Sequence, residues 1–389
     1  MKRAIFFLLL FGAGIVGCDD IVDISEEQQN VDPDTYPTYF EGLESDIVYT
    51  AGNELYLIDQ ATQEAKKLPT GSLGDKPTHL RWSEDGQQLF FLLDPGSDLN
   101  WIYAFDFRDS TLSQMGSKQA NNYEVSPDGK RLAILQEAGW FSSVDESASY
   151  IYDWPNDQYW DLLPLVDELV GDSTVSDQKV NGIEWIDNQN FRAKFSYLYS
   201  DPDTTFSKHG DLVASYQATG IQLEQFRYDN YVNLDVHHNV DSTYAYFMDW
   251  LPDDEGQALY FIDVVSQDTQ MVTADTDRLY GLRIAPQGKY LRYYYDVIDV
   301  EILLSHDEFY LYSSTEKTAH RVMPEAFDLN SVQFSPSGDQ IACMASFWKD
   351  GGKTEYQLFV MNAGGSDITK LSDGEEGALG QLRFRPFNN

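Results

Sequence analysis

"NNYEVSPDGKRLAILQ", residues 121–136, decides the fold. An alternating stretch ends at Val125, Ser126-Pro127-Asp128-Gly129 follows, and a second apolar run begins at Leu132. Proline presets φ for an early turn position and glycine accepts φ above zero, so the chain is expected to reverse there into a hairpin. The same grammar returns in "HLRWSEDGQQLFFLL" (79–93), "GLRIAPQGKYLRYYY" (281–295) and "SVQFSPSGDQIACMA" (331–345). Two looser copies are "GIEWIDNQNFRAKFSYL" (182–198) and "FMDWLPDDEGQALYFID" (247–263).

A second phrase follows each copy at varying distance, as in "WIYAFDFRDSTLSQM" (101–115), "YIYDWPNDQYWDLLP" (150–164) and "QLFVMNAGGSDITKL" (357–371). Each reads as an apolar strand, a polar turn and a mostly polar outer strand. Two hairpins per repeat make a four-stranded antiparallel unit of roughly 40–50 residues, the period of propeller blades. Aromatic residues at 14% of the chain suit such pleated, half-buried surfaces. Motif strands at Trp82, Val125, Trp185, Trp250, Ile284, Phe334 and Phe384 predict an all-β, seven-bladed β-propeller; their uneven spacing leaves six or eight blades open.

The chain ends carry complementary defects. "QLRFRPFNN" (381–389) repeats the first motif strand and stops before its hairpin is complete, while 45–69 offers three strands with no motif strand before them. Joining them is expected to complete the first blade and leave no open sheet edge.

The motif copies resemble the WD40-like (PD40) repeats of the TolB-type propeller family, which includes TolB, the propellers of prolyl oligopeptidases and oligogalacturonate lyases. The resemblance covers about residues 43–387. It implies a fold more than an activity. The hydrolase relatives carry a Gly-x-Ser-x-Gly elbow on a separate α/β domain, and this sequence has neither.

Residues 1–17 read as a signal peptide: Lys2 and Arg3, then an apolar run from Ala4 to Gly17, too short to span a bilayer unaided. Ile15-Val16-Gly17-Cys18 resembles the bacterial lipobox, which implies lipidation at Cys18 and a membrane anchor. Residues 18–42 are acidic and polar and are expected to form a flexible tether, with the propeller over 43–389. The expected location is the bacterial envelope, lipid-anchored at the outer membrane, on either its periplasmic or its surface face. Once Cys18 is acylated, Cys343 in an apolar strand has no disulfide partner and reads as a core residue.

The formal charge is -38, from 64 acidic against 26 basic residues, which repels a phosphate backbone and argues against nucleic acid as a partner. No cofactor, catalytic set or metal site is expected. His79 and the His237-His238 pair are weak metal candidates, since adjacent strand residues point to opposite faces. Trp140, Trp154, Tyr159 and Trp160 are candidates for a protein- or glycan-binding platform, set against packing between blades. The expected function is a non-catalytic envelope scaffold or binding module with a protein or glycan partner. The alternative is a metal-assisted polysaccharide lyase or other envelope hydrolase working in the axial channel. Histidines and carboxylates converging on one cavity would favour the alternative; a channel of apolar residues and amides would favour the binder.

Overall fold

The structure is a computed structural model that describes residues 35–386 except 72, 94–99, 137–147, 165, 167–174, 201–204, 218–219, 230–236, 239–242, 251–256, 275–278, 300–303, 324–325, 327, 350–352 and 373–378. Residues 1–17, read above as a signal peptide, and Cys18 and Trp140 lie outside the described residues. The described chain forms seven four-stranded sheets, every strand pair antiparallel, as a seven-bladed β-propeller requires. Blades 2–7 each use four strands consecutive in sequence and begin with Pro77–Trp82, Asn122–Val125, Val175–Trp185, His237–His238, Leu279–Ile284 and Asp328–Phe334 respectively. These first strands approach one another around the axis, and the last strands of blades 1 and 6, Ala65–Lys67 and Thr318–Arg321, are mostly exposed.

The backbone of the recurrent turn is built the same way in four blades, and in three of them, at Ser83, Ser126 and Ser335, a serine hydroxyl adds to it. In blade 3 the Ser126 amide bonds the Arg131 carbonyl at 2.9 Å, and the Gly129 amide bonds the Ser126 carbonyl at 2.8 Å. The Ser126 hydroxyl donates to Asp128 at 2.7 Å and accepts from the Arg131 amide at 2.9 Å, so the turn's own side chains satisfy its backbone. Gly129 adopts φ +67°, and the glycines of the other copies, Gly86, Gly288 and Gly338, also have positive φ. A Cβ on Gly129 would lie 3.0 Å from the Ser83 Cβ of the preceding turn, and one on Gly86 would lie 3.0 Å from the Pro386 carbonyl oxygen. Glycine therefore serves twice, for the left-handed turn and for nesting each turn on its neighbour.

Blade 1 is closed by both ends of the chain. Its sheet runs Leu379–Phe384, Ile47–Ala51, Glu54–Ile58, Ala65–Lys67, with Ile47 opposite Phe384 and Tyr49 opposite Leu382. The Arg385 guanidinium pairs with Asp46 at 2.9 Å, donates to the Gly86 carbonyl at 2.8 Å and lies 4.8 Å from the Phe107 ring centre. That one side chain ties the blade 1 edge to blade 2.

Apolar clusters fill the junctions between blades. Val48 and Leu55 of blade 1 pack with Phe91 and Phe105 of blade 2, and Phe309 and Leu311 of blade 6 pack with Ile341 and Phe359 of blade 7. Comparable clusters join blades 2–3, 3–4, 5–6 and 7–1. Among the described residues none joins blades 4 and 5.

Two sequence expectations need correction. "FMDW" (247–250) is not an inner strand: Tyr244–Trp250 is the second strand of blade 5 and Gln257–Asp263 the third, so the two-residue strand His237–His238 stands innermost. The looser motif copy mimicked the hairpin but sat one strand outward. Nor is the chain a free tether as far as residue 42. Tyr36 meets Phe359 edge-on at 5.3 Å, the Pro37 carbonyl accepts from the Lys370 amide at 2.7 Å, and Phe40 and Leu43 are buried against blades 7 and 1. The apolar residues in "TYPTYFEGL" outweigh the acidic composition around them. Cys343 is fully buried, as expected of a core residue, and burial pushes its thiol well above the ordinary range.

Candidate functional site: the axial channel

The residue just before the closing aromatic or branched residue of each motif strand occupies an equivalent place on the inner ring. Going around from blade 1 these are Arg383, Arg81, Glu124 and Glu184, then Arg283 in blade 6 and Gln333 in blade 7. The residues immediately before them, Leu80, Tyr123, Ile183, Val332 and Leu382, are buried between sheets, because successive strand residues face opposite sides. The polar column therefore lies on the other face of each inner strand, towards the following blade, as the contacts of Arg383 with Leu80 and of Arg81 with Glu124 show.

A recurrent bulge helps set this aim. Inner-strand register slips between Thr78 and Arg81, between Tyr280 and Arg283, and between Asn330 and Gln333. The extra residues, His79, Gly281 and Ser331, have φ of 55°, 64° and 52°. Such a bulge bends the strand and redirects the side chains that follow it.

The arginines reach forward from blade to blade. Arg383 donates from Nε to the Leu80 carbonyl at 3.1 Å, and Arg81 meets the Glu124 carboxylate with Nη2–Oε1 at 3.0 Å. Arg292, opposite Arg283 on the second strand of blade 6, donates to the Val332 carbonyl of blade 7, while its buried Nε finds no partner among the described residues. Arg283 makes no hydrogen bond or ion pair among the described residues; it stays open to solvent although protein surrounds it, as befits a group in a channel wall.

These charges act on one another. Burial, then the charges of Arg81, Arg283 and Arg292, pull Arg383 down to about 9, which still leaves it cationic at neutral pH. Burial and then Arg81 also lower Arg283. Burial pulls Arg81 down too, but the Glu124 carboxylate outweighs it and holds Arg81 above its ordinary value. Among the described residues the ring carries one close ion pair, while Arg283 and Arg383 make none and feel the Glu124 charge only from a distance.

His79 lies among these groups, its carbonyl accepting the Tyr123 hydroxyl at 2.7 Å. Burial, then the charges of Arg81 and Arg383, lower its pKa, with only Glu124 opposing. In the unfolded chain His79 takes its proton near the ordinary value of about 6.5. Its contribution to stability is therefore full above that pH and is lost progressively as pH falls from the unfolded value to the lower folded one. His79→Gln should flatten the acid limb of urea midpoint against pH below about 6.5. A limb as steep as that of the parent chain would refute the assignment.

The other sequence candidates fall elsewhere. His237 and His238 pair with Tyr246 and Ala245 in blade 5, and among the described residues no three histidine, cysteine or acidic side chains are grouped to hold a metal ion. Trp154 donates from its indole to the Gly129 carbonyl at 2.6 Å, bracing the blade 3 turn. Tyr159 stacks on Tyr152 at 4.2 Å and accepts the Ser117 amide at 2.7 Å, and Trp160 meets Tyr216 edge-on at 4.8 Å. All three are half-buried and spent on packing within and between blades 2, 3 and 4, rather than spread as a platform. The channel arginines went unnoticed although "HLRW", "GLRI" and "QLRF" stand in the motif copies themselves. Reading one column across the aligned copies, rather than each copy along its length, would have found them.

No family model matches the chain, and no curated protein matches it by sequence. Among solved structures it is similar to dihydro-heme d1 dehydrogenase NirN in complex with DHE, with a TM-score of 0.50 and 13% identity over 90% of this chain and 78% of that one. It is also similar to TolB from Acinetobacter baumannii, with a TM-score of 0.47 and 13% identity over 89% and 67% of the two chains. A third is the β-propeller domain of the Trilobed protease from Pyrococcus furiosus, with a TM-score of 0.49 and 11% identity over 85% and 92%. At these identities the likeness concerns the fold alone.

Proposed function

We propose that this chain is a lipid-anchored propeller of the bacterial envelope, held at the outer membrane through Cys18, and that it acts as a non-catalytic binding module. Its ligand or protein or glycan partner is received at the axial channel. One observation carries the reading: the inner ring presents a charged column, Arg81, Glu124, Glu184, Arg283 and Arg383, while the described aromatic candidates, Trp154, Tyr159 and Trp160, are committed to packing. Keeping unpaired charge in an enclosed site costs stability, and such strain concentrates where a protein binds or reacts. A metal-assisted lyase is less well supported. His79 is flanked by Arg81 and Arg383, whose charge disfavours a second cation there.

Native extraction from membranes followed by mass spectrometry tests the module. A partner or ligand recovered stoichiometrically, and lost on Arg283→Gln, is the expected result; a tightly held metal ion with polysaccharide-cleaving activity would overturn it. The anchor is tested separately. Cys18→Ser should lose the acyl modification and, once residues 1–17 are removed, move the chain from the membrane to the soluble fraction, because stable anchoring takes two acyl chains and the residue that carries them is gone. Membrane-bound Cys18→Ser carrying no signal peptide would sink the lipoprotein reading.

A further inference from the structure

We propose that the axial channel takes an oxyanion, the carboxylate or phosphate group of a small ligand, between Arg283 and Arg383; this rests on the channel being the binding site. The distribution of charge is the first ground. Acidic residues outnumber basic ones 64 to 26, yet three of the six described inner-ring positions are arginine, all within the arc of blades 6, 7, 1 and 2. A chain with a surplus of carboxylates had ample means to neutralise them and supplies one, Glu124, to Arg81.

The second ground is the inventory of free donors. A guanidinium has five N–H donors in a planar fork that matches a carboxylate or phosphate edge. Arg383 spends two nitrogens on the carbonyls of Leu80 and Leu382, which leaves an Nη group, and it makes no ion pair among the described residues, Glu124 acting on it only from a distance. Arg283 spends none among the described residues and is solvent-open. Gln333, on blade 7 between them, adds an amide that can donate to the same ligand. Arg292 stands behind Arg283 and raises the local positive potential without needing contact.

The third ground is exclusion. Glu184 of blade 4 lies across the axis from this arc, so an anion is pushed off-centre towards the arginines. A long polyanion would have to pass a surface of strongly negative net charge, which favours a small ligand or a single anionic terminus. An oxyanion bound here would relieve the mutual repulsion of the arginines, and that relief is part of its affinity.

The experiment uses the purified full-length chain in detergent, with sodium phosphate and trisodium citrate as probes against sodium chloride at equal ionic strength. Isothermal titration should show one-to-one binding of at least one probe; phosphate alone identifies a phosphate site, citrate alone a carboxylate site. Arg283→Gln should weaken that binding tenfold or more without lowering the unliganded melting temperature, since the side chain holds nothing else in place among the described residues. Arg383→Gln should weaken it likewise, and Arg108→Gln, an exposed arginine on an outer turn of blade 2, should leave it unchanged. Absence of binding by both probes, or equal affinity in Arg283→Gln, overturns the proposal. If both probes fail while a partner still co-extracts and survives Arg283→Gln, the oxyanion assignment falls and a binding module remains. If neither anion nor partner is found, both readings fall.

Discussion

Deleting residues 379–389 is expected to abolish cooperative folding, not merely to lower stability. The lost strand supplies Leu382 and Phe384 to the blade 7–1 core and pairs with Ile47, Val48 and Tyr49. It also removes Arg385, which bonds Asp46 and Gly86 and lies over Phe107. Burying an apolar side chain of this size contributes about 1.5–3 kcal/mol, and a backbone hydrogen bond contributes about 1 kcal/mol net. Two such side chains, the ladder and the Arg385 bonds together approach the whole net stability of a domain, about 5–15 kcal/mol. The strand Ile47–Ala51, buried along most of its length, would be left as a bare apolar edge, which invites aggregation. Size-exclusion chromatography and thermal circular dichroism of the truncated chain should show aggregates and no sharp transition. A monomer with a cooperative melt close to that of the full chain would show that closure is dispensable.

Phe359→Ala should lower unfolding free energy by about 3–5 kcal/mol, the range for truncating a fully buried phenylalanine. Phe359 is 0% exposed and sits where Phe309 and Leu311 of blade 6 meet Ile341 and Phe347 of blade 7. It also receives the edge of Tyr36, the first anchor of the arm that leads into blade 1. Tyr36→Ala, removing a half-buried ring from the outside of the same contact, should cost much less. Equilibrium urea unfolding of the two variants checks the ordering. Equal losses would mean that the arm, rather than the interblade core, holds this junction.

The repeat was legible because its parts are local. Ser126, Asp128 and Gly129 satisfy one another within a few residues, so their spacing shows in sequence wherever the turn is used. The closing tail was legible for a related reason: an unfinished motif at 381–389 and a missing one before Ile47 define the same blade. Blade 5 was misread because its inner strand is two residues long and its second strand, Tyr244–Trp250, carries the apolar alternation and closing tryptophan of an inner one. The arm at Tyr36 and Phe40 was misread because composition averages over a window, whereas two buried rings are enough to dock a short segment.

By itself, then, the sequence determined the four-stranded unit, its recurrence along the chain and the partner of its last strand, since turn chemistry and strand alternation act between near neighbours, while the count of seven was settled by the sheets themselves. Which residues share the axis was decided only by closing the ring. Arg81, Arg283 and Arg383 are scattered along the chain, and each alone reads as an ordinary polar strand residue. Radial stacking of the blades brings the same motif column together from six of the seven blades, and the mutual repulsion of its arginines exists only once it does.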